Sequence, residues 1–191
     1  QAYQNARATD PVSAFGGVIG FNRGLNAITA EALSEVFVEA IIAPEFEPGV
    51  IEVLSKKKNI RLIRYDFEAA RVQWAALPEI RKALDGYLIQ DADMRRVGQS
   101  EWKVVTRRVP NEQEVQALLF GWTIVKHVKS NAIVYAASDR TLGIGAGQMS
   151  RVDSSELAVS KSAKSGLSLT NSAIASDAFF PFRDGVDAAA L

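Results

Sequence analysis

The sequence contains no cysteine and a single histidine, His127. The absence of cysteine excludes disulfide bridges, thiolate zinc sites and cysteine nucleophiles. It also excludes a hydrolytic deaminase, because that chemistry needs zinc held by histidine and cysteine, with a glutamate nearby. His127 does not have a glutamate two positions later, which is the spacing that such a site would use.

The chain also lacks an excess of charge of either sign, with 22 basic and 22 acidic residues and a formal net charge of 0. Nucleic-acid-binding proteins usually carry a basic excess, so no nucleic-acid partner is expected. No apolar run is long enough to span a bilayer and no signal-peptide pattern opens the chain, so we expect no membrane partner and a cytoplasmic location.

The chain starts at Gln1, and residues 188–191 have the composition of a helix interior. Both ends are therefore expected to be cuts within a larger protein.

Hydrophobic patterning predicts an α/β fold with two incomplete subdomains joined by a linker. Residues 1–65 alternate short apolar strands with helical segments, and residues 109–191 predict helix, hairpin, helix, strand and helix. Residues 66–108 have no clear period and are interpreted as a connecting segment with some strands, including residues 103–106. This order of elements is found in cytidine-deaminase-like folds, which have a three-layer αβα architecture.

Capping residues predict where three of the helices begin. Thr29 is interpreted as the N-cap of an early helix, and Asn111 with Glu114 approximates a capping box. Residues 153–156 (DSSE) are interpreted as the cap of the helix that follows the predicted hairpin.

The segment 126–135 (KHVKSNAIVY) places polar residues at a junction between a helix and a strand. The amide of Asn131 offers both a donor and an acceptor, which suits a carboxamide or the tetrahedral intermediate of acyl transfer. An asparagine that only closes the turn is an equally good interpretation of the residues alone. His127 has the pKa range of a general base, but its place at a helix end favours a structural role.

A glycine-rich segment, residues 143–151 (GIGAGQMSR), follows this strand. Gly143, Gly145 and Gly147 allow close backbone approach and are compatible with an anion-binding nest. A bend at a strand end is the alternative, and it is favoured by the glycines alone. Arg151 closes the segment, and its guanidinium fork suits a carbonyl or a carboxylate.

Six motifs occur in one order along the chain. They are residues 10–17 (DPVSAFGG), 39–44 (EAIIAP), 54–58 (LSKKK), 129–131 (KSN), 143–151 (GIGAGQMSR) and 176–184 (SDAFFPFRD). Together they resemble the transformylase region of the bacterial enzymes that combine AICAR formyltransferase with IMP cyclohydrolase, where AICAR is aminoimidazole-carboxamide ribonucleotide. The resemblance implies transfer of a formyl group from 10-formyltetrahydrofolate to AICAR during purine biosynthesis. It also implies two cytidine-deaminase-like subdomains and a homodimer with shared active sites.

The same resemblance implies roles for particular residues. Asn131 is the expected catalytic residue, and AICAR is expected to contact Gly16, Glu39, Asn131 and Arg151. Folate is expected to contact Val152, Phe179 and Asp184, through stacking on the pterin ring and hydrogen bonds to its amino-pyrimidine edge. Ser130 and Asp177 are expected to hold a monovalent cation such as potassium. Without the resemblance, the phenylalanines are core residues, Asp184 is an N-cap, Gly16 is a turn and Glu39 is an exposed strand end.

One motif of the family is absent from the chain. Its catalytic Lys-His pair lies in a K-H-x-N-P-x-G motif upstream of the segment that matches residues 10–17. Lys126 and His127 imitate that pair, but they precede the Ser-Asn segment and no Asn-Pro follows them, so the role is not transferred. The isolated chain is therefore expected to transfer no formyl group. The alternative function is a catalytically incomplete domain that binds nucleotide or folate and dimerises.

Overall fold

The computed structural model describes residues 1–190 as two compact units. The first unit is Phe15–Val97, and the second unit combines Gln1–Ala14 with the chain from Gly98 onward. In chain order the helices and strands are α1 (Ala2–Ala8), β1 (Gly17–Gly20), α2 (Ala27–Ser34), β2 (Val38–Ala43), α3 (Val50–Leu54), β3 (Arg61–Arg64), α4 (Phe67–Ala75), β4 (Glu79–Ala83), β5 (Gly86–Gln90), α5 (Glu112–Val125), β6 (Ile133–Ala136), β7 (Thr141–Gly145), α6 (Arg151–Lys164), β8 (Ala173–Ser176) and α7 (Asp184–Ala190). This mixed content confirms the predicted α/β class, whereas its assignment to deaminase-like subdomains stays a prediction.

The first unit contains a three-stranded sheet in the order β1-β2-β3, and both strand pairs are parallel. Parallel neighbours need a crossover, which α2 and α3 supply between successive strands. The central strand β2 provides Ile41 and Ala43 to the core, where both are fully buried. Helix α2 begins at Asn26, whose side chain accepts a hydrogen bond from the Thr29 amide. The prediction of Thr29 as the cap is therefore wrong.

The predicted connecting segment, residues 66–108, contains more regular structure than its sequence pattern indicates. Asp66 caps α4 by accepting from the amides of Glu68 and Ala69. Strands β4 and β5 then pair as an antiparallel hairpin. Residues 103–106 form no strand, so that prediction is wrong.

The second unit is a sheet between two helical layers, in the strand order β7-β6-β8. Both pairs are antiparallel, and every residue of the central strand β6 is buried. Because side chains alternate along a strand, Val134 packs with Val125 of α5, whereas Ile133 and Tyr135 pack with Ala158 of α6. The second unit therefore has the three-layer αβα arrangement that the sequence predicts.

Local polar contacts determine where the helices of the second unit begin. Asn111 and Glu114 form the predicted capping box at the start of α5. Helix α6 is capped by Ser150, whose hydroxyl accepts from the Asp153 amide at 3.0 Å. The predicted cap at residues 153–156 is therefore wrong.

No helix in the described chain is long and apolar enough to cross a membrane.

The segment that follows α1 is fixed to α6 by an ion pair. Lys161 Nζ donates to Asp10 Oδ2 at 2.8 Å, and the Ser13 amide donates to the same carboxylate at 3.0 Å. The hydrogen bond from Lys161, followed by those from Ser13, lowers the pKa of Asp10 from 3.8 to about 2.

We expect Asp10→Asn to destabilise the protein by less than about 1 kcal/mol at neutral pH, because Lys161 is partly solvated. The pKa of Asp10 is lower in the folded protein, so its contribution is present above pH 3.8 and is lost as the pH falls towards about 2. Urea denaturation of both proteins at several pH values tests this. The two curves should converge over that acidic range, and a constant difference down to pH 2 would contradict the assignment.

Candidate functional site

The strand pairing of the second unit brings three separate segments to one edge of its sheet. Ile133 is paired with Gly145 of β7 on one side and with Ser176 of β8 on the other. Because both pairs are antiparallel, the start of β6 lies beside the ends of β7 and β8. The residues just outside these strand ends are therefore neighbours, and they include Asn131, Arg151 and Asp177.

Asn131 is held by the loop that connects β7 to α6. Its Nδ2 donates to the carbonyls of Gln148 and Met149, each at 3.0 Å, and its backbone carbonyl accepts from Ser154 Oγ at 2.7 Å. The peptide bond between Ser130 and Asn131 is cis. An asparagine Nδ2 has two hydrogens, and both are donated here. The side-chain atom that Asn131 offers to a ligand is therefore the acceptor Oδ1.

Asp177 follows β8 and accepts hydrogen bonds from three donors on two other segments. The Ala132 amide donates to Oδ1 at 3.1 Å, Arg151 Nη2 donates to Oδ1 at 3.2 Å, and Ser130 Oγ donates to Oδ2. Burial raises the pKa of Asp177, but the hydrogen bonds from Ser130 and Ala132 and the charge of Arg151 outweigh it. The net pKa therefore lies below the usual value, and Asp177 is ionised at neutral pH.

Arg151 is the first residue of α6, and its guanidinium is turned onto the end of β8. Nε donates to Ser176 Oγ at 3.3 Å, and Nη2 donates to Asp177. Its side chain is 18% exposed, so it is enclosed but reachable from solvent. These contacts engage Nε and one N–H of Nη2, so Nη1 and the second N–H of Nη2 remain for a carbonyl or an anionic group of a ligand.

The surroundings of Ser130 and Asp177 bear on the cation that the resemblance predicts there, which stays a prediction. Asp177 Oδ1 already faces the Arg151 guanidinium and the Ala132 amide, both of which are donors. A cation on this carboxylate would also be repelled by the charge of Arg151. Ser130 and Asp177 are adjacent as predicted, but their contact is a direct hydrogen bond. The expectation of potassium gains no support from this geometry.

The glycines of the 143–151 segment allow close packing and do not form an anion-binding nest. An ideal Cβ on Gly143 would lie 2.6 Å from the Ala158 carbonyl, and one on Gly145 would lie 1.7 Å from the Ser154 carbonyl. Both glycines therefore let β7 lie directly against α6. Gly147 has a φ of 68°, and its amide donates to the Lys129 carbonyl at 2.8 Å, so this N–H is not free for an anion.

The residues that the resemblance assigns to folate lie close in sequence to Arg151 and Asp177. Val152 follows Arg151 in the first turn of α6 and is half-buried. Phe179 lies two positions after Asp177 and is 78% exposed, whereas the neighbouring Phe180 packs into the core of the second unit. Asp184 is the exposed first residue of α7 and accepts from the Gly185 amide at 2.7 Å. Phe179 is thus available to a ligand, and the core interpretation holds for Phe180.

Two residues predicted to contact AICAR belong to the first unit. Gly16 has a φ of 72°, and its amide donates to the Phe37 carbonyl at 2.9 Å. Glu39 is an exposed residue of β2. Gly17 and Val38 are paired across β1 and β2, so Gly16 and Glu39 lie on either side of this pair.

His127 lies in the turn after α5, where its amide donates to the Ile124 carbonyl at 2.9 Å. Its side chain is exposed. This position agrees with the structural interpretation of His127 as a residue of the helix end.

Ser176 also belongs to this group of polar residues, although no sequence pattern singled it out. Ser176 Oγ accepts from Arg151 Nε and donates to the Ala178 carbonyl at 2.7 Å. The sequence feature that could have identified Ser176 is its position immediately before Asp177, inside the motif 176–184.

All the comparisons with known proteins indicate the same family. A family model described as AICARFT/IMPCHase bienzyme matches residues 1–161. The chain is 50% identical over 196 residues to the bifunctional purine biosynthesis protein PurH of Magnetococcus marinus, and 51% identical over 189 residues to that of Chloroflexus aurantiacus. It is 47% identical over 191 residues to the protein of the same name from Acidithiobacillus ferrooxidans. Each alignment covers 99% of this chain but only 37%, 36% and 36% of the respective relative. The chain thus spans little more than a third of these curated relatives.

Proposed function

The chain belongs to the AICARFT/IMPCHase bienzyme family, and we propose that its parent protein transfers a formyl group from 10-formyltetrahydrofolate to AICAR and also acts as an IMP cyclohydrolase. The observation that carries the proposal is the cluster of Asn131, Arg151 and Asp177 at one edge of the second sheet. It combines a fixed acceptor on Asn131 with the Arg151 guanidinium, which Asp177 holds in place, and this suits a polar ligand with amide and amine groups.

The proposed reaction needs the two substrates to be held together more than it needs strong acid or base chemistry. The exocyclic amine of AICAR attacks the formyl carbon, a C–N bond forms, and the formyl oxygen gains negative charge. Collapse of this intermediate breaks the bond to N10 of the folate, and the proton lost by the amine ends on N10. Positioning the amine against the formyl carbon and stabilising the oxyanion are the two contributions expected from the protein.

Asn131 is proposed to act through its Oδ1. Because both N–H groups of its amide bond to the Gln148 and Met149 carbonyls, Oδ1 is the atom that accepts an N–H of the AICAR amine or carboxamide. Donation to the oxyanion would require one of these two bonds to break. These contacts support a role for Asn131 as a hydrogen-bond acceptor. The sequence alone left open whether it accepts or donates.

Arg151, Gly16 and Glu39 are proposed as further AICAR contacts, and Val152, Phe179 and Asp184 as folate contacts. Arg151 offers Nη1 to a carbonyl or an anionic group of the nucleotide. Phe179 offers an exposed aromatic face for the pterin ring. Homodimerisation with shared sites remains part of the proposal.

A second candidate function applies to the isolated chain. The K-H-x-N-P-x-G motif does not occur in its 191 residues. We therefore propose that the chain alone binds nucleotide or folate without turnover, and measurable formyl-AICAR production by the purified chain would contradict this.

The full-length protein tests the proposed function through its folate site. It is expected to form formyl-AICAR only when both substrates are present, and Phe179→Ala is expected to raise the KM for 10-formyltetrahydrofolate about tenfold. This corresponds to losing about 1.4 kcal/mol of ring stacking. The KM for AICAR should be unchanged, and product analysis by chromatography measures both constants.

The adjacent Phe180→Ala is the matched comparison for Phe179→Ala. Phe180 packs in the core, so its loss is expected to lower stability by about 2 kcal/mol or more. A full-length protein that forms no formyl-AICAR contradicts the proposed reaction. An unchanged folate KM in Phe179→Ala removes Phe179 from the site.

A further inference from the structure

One half-buried carboxylate accepts from three donors on two segments that meet at the candidate site. Asp177 accepts from Ser130 in the loop before β6, from the Ala132 amide at the start of β6, and from Arg151 at the start of α6. Its side chain is only 13% exposed, and that of Arg151 is 18% exposed. The bonds from Ala132 and Arg151 are part-buried, so water competes with them less than with surface contacts, and they restrict the residue before β6 and the start of α6.

The three donors surround the residues to which the proposed function assigns ligand contacts. Ser130 and Ala132 are the two neighbours of Asn131, so their bonds to Asp177 fix the backbone on both sides of that residue. The third donor is Arg151 itself. Asn131 is held from the opposite direction by the Gln148 and Met149 carbonyls. Asp177 thus contacts Arg151 directly and also binds the residues on both sides of Asn131.

We propose that Asp177 is a positioning residue that aligns Arg151 and Asn131 for the nucleotide, and that it acts through them without touching the substrate. This inference rests on the proposed function. The positioning role is carried by the donors from the chain itself, and it does not depend on the cation that the resemblance predicts at Ser130 and Asp177. The negative charge of Asp177 keeps the Arg151 guanidinium turned towards β8 and limits its rotation away from a ligand.

Asp177→Asn separates this role from a purely structural one. Asparagine has the same shape, and its Oδ1 can still accept from the Ala132 amide and Arg151. Its Nδ2 can donate to Ser130 Oγ, because a hydroxyl is also an acceptor. The hydrogen bonds and the fold are therefore expected to be kept, whereas the charge that holds Arg151 is removed.

The experiment is a double-mutant cycle in the full-length protein, in which Asp177→Asn is combined with Arg151→Met. AICAR affinity is measured by calorimetry, and kcat and KM are measured by the formyl-transfer assay. Asp177→Asn alone is expected to weaken AICAR binding about tenfold, while the KM for 10-formyltetrahydrofolate changes less than about twofold. In the Arg151→Met background, Asp177→Asn should cause little further loss of AICAR affinity, because the residue through which it acts has been removed.

Asp153→Asn is the matched control, because Asp153 is an exposed carboxylate in the first turn of the same helix. It is expected to leave AICAR affinity unchanged. Equal weakening by Asp177→Asn in both backgrounds, or an unchanged affinity in Asp177→Asn alone, would overturn the positioning role and leave the proposed function standing. An unchanged AICAR affinity in Arg151→Met would also overturn the positioning role, because Arg151 would then not belong to the site. The proposed function fails separately, if the unmodified full-length protein forms no formyl-AICAR.

Discussion

Gly145→Ala is expected to destabilise the second unit by about 3 kcal/mol or more. A Cβ at this position would lie 1.7 Å from the Ser154 carbonyl oxygen and 2.5 Å from its carbon. These are backbone atoms of α6, so no side-chain rotation relieves the overlap. Helix α6 would have to move away from β7, which removes the packing around Ala158 and Ser155. Overpacking usually costs about 1–3 kcal/mol, and a backbone clash this short lies at the upper end.

Urea denaturation followed by circular dichroism measures this effect, with Gly98→Ala as the control. A Cβ on Gly98 would meet only Ser100 Oγ, at an ordinary distance of 3.9 Å. Its φ of −89° also suits any residue, so the control introduces no backbone strain. Equal denaturation midpoints for the two variants would show that β7 and α6 are not in direct backbone contact.

The two misplaced helix caps show what a sequence pattern can and cannot locate. Asn26 and Ser150 are the real caps, and each lies three residues before the residue that the pattern indicated, Thr29 or Asp153. In both cases the predicted residue supplies the N–H that the real cap accepts. Both positions carry residue types that are favoured as caps, so composition alone does not choose between them. The choice is made by the backbone, which must be extended at the cap and helical three residues later.

Helix α4 could not be predicted from hydrophobic spacing because it has only one buried residue, Ala70. Most of its apolar side chains are exposed, including Val72 and Trp74, so no apolar stripe marks one face. The hairpin of β6 and β7 was predictable for the opposite reason. Its central strand is a short apolar run that is buried on both faces, and a turn follows it directly.

The candidate site was only partly predictable for a topological reason. Asn131 and Arg151 lie on either side of one hairpin, so the sequence already placed them close together. Asp177 lies 45 residues from Ala132 and joins them only because β8 pairs with β6. Its motif indicated a polar residue near the site, but its partners depend on strand order. This is why the sequence did not indicate the ion pair of Asp177 with Arg151.

Asn131→Ala in the full-length protein is expected to lower kcat/KM for formyl transfer about 100-fold. The substitution removes the Oδ1 acceptor proposed for the AICAR amine, and such a bond to a positioned substrate contributes up to about 3 kcal/mol. It also removes the two bonds that hold the β7–α6 loop against β6. Both changes act on the reacting geometry, so kcat is expected to fall more than the AICAR affinity.

Stability separates this effect from simple unfolding. The two Nδ2 bonds are only partly buried, so their loss is expected to cost no more than about 2 kcal/mol of stability. Asn59→Ala is the control, since Asn59 is an exposed turn residue of the first unit, and it should change neither rate nor stability. An unchanged rate in Asn131→Ala would remove Asn131 from the site. A low rate in a stable protein would assign a catalytic role to Asn131. Its hydrogen bonds alone do not decide this, because they would also suit an asparagine that only closes the turn.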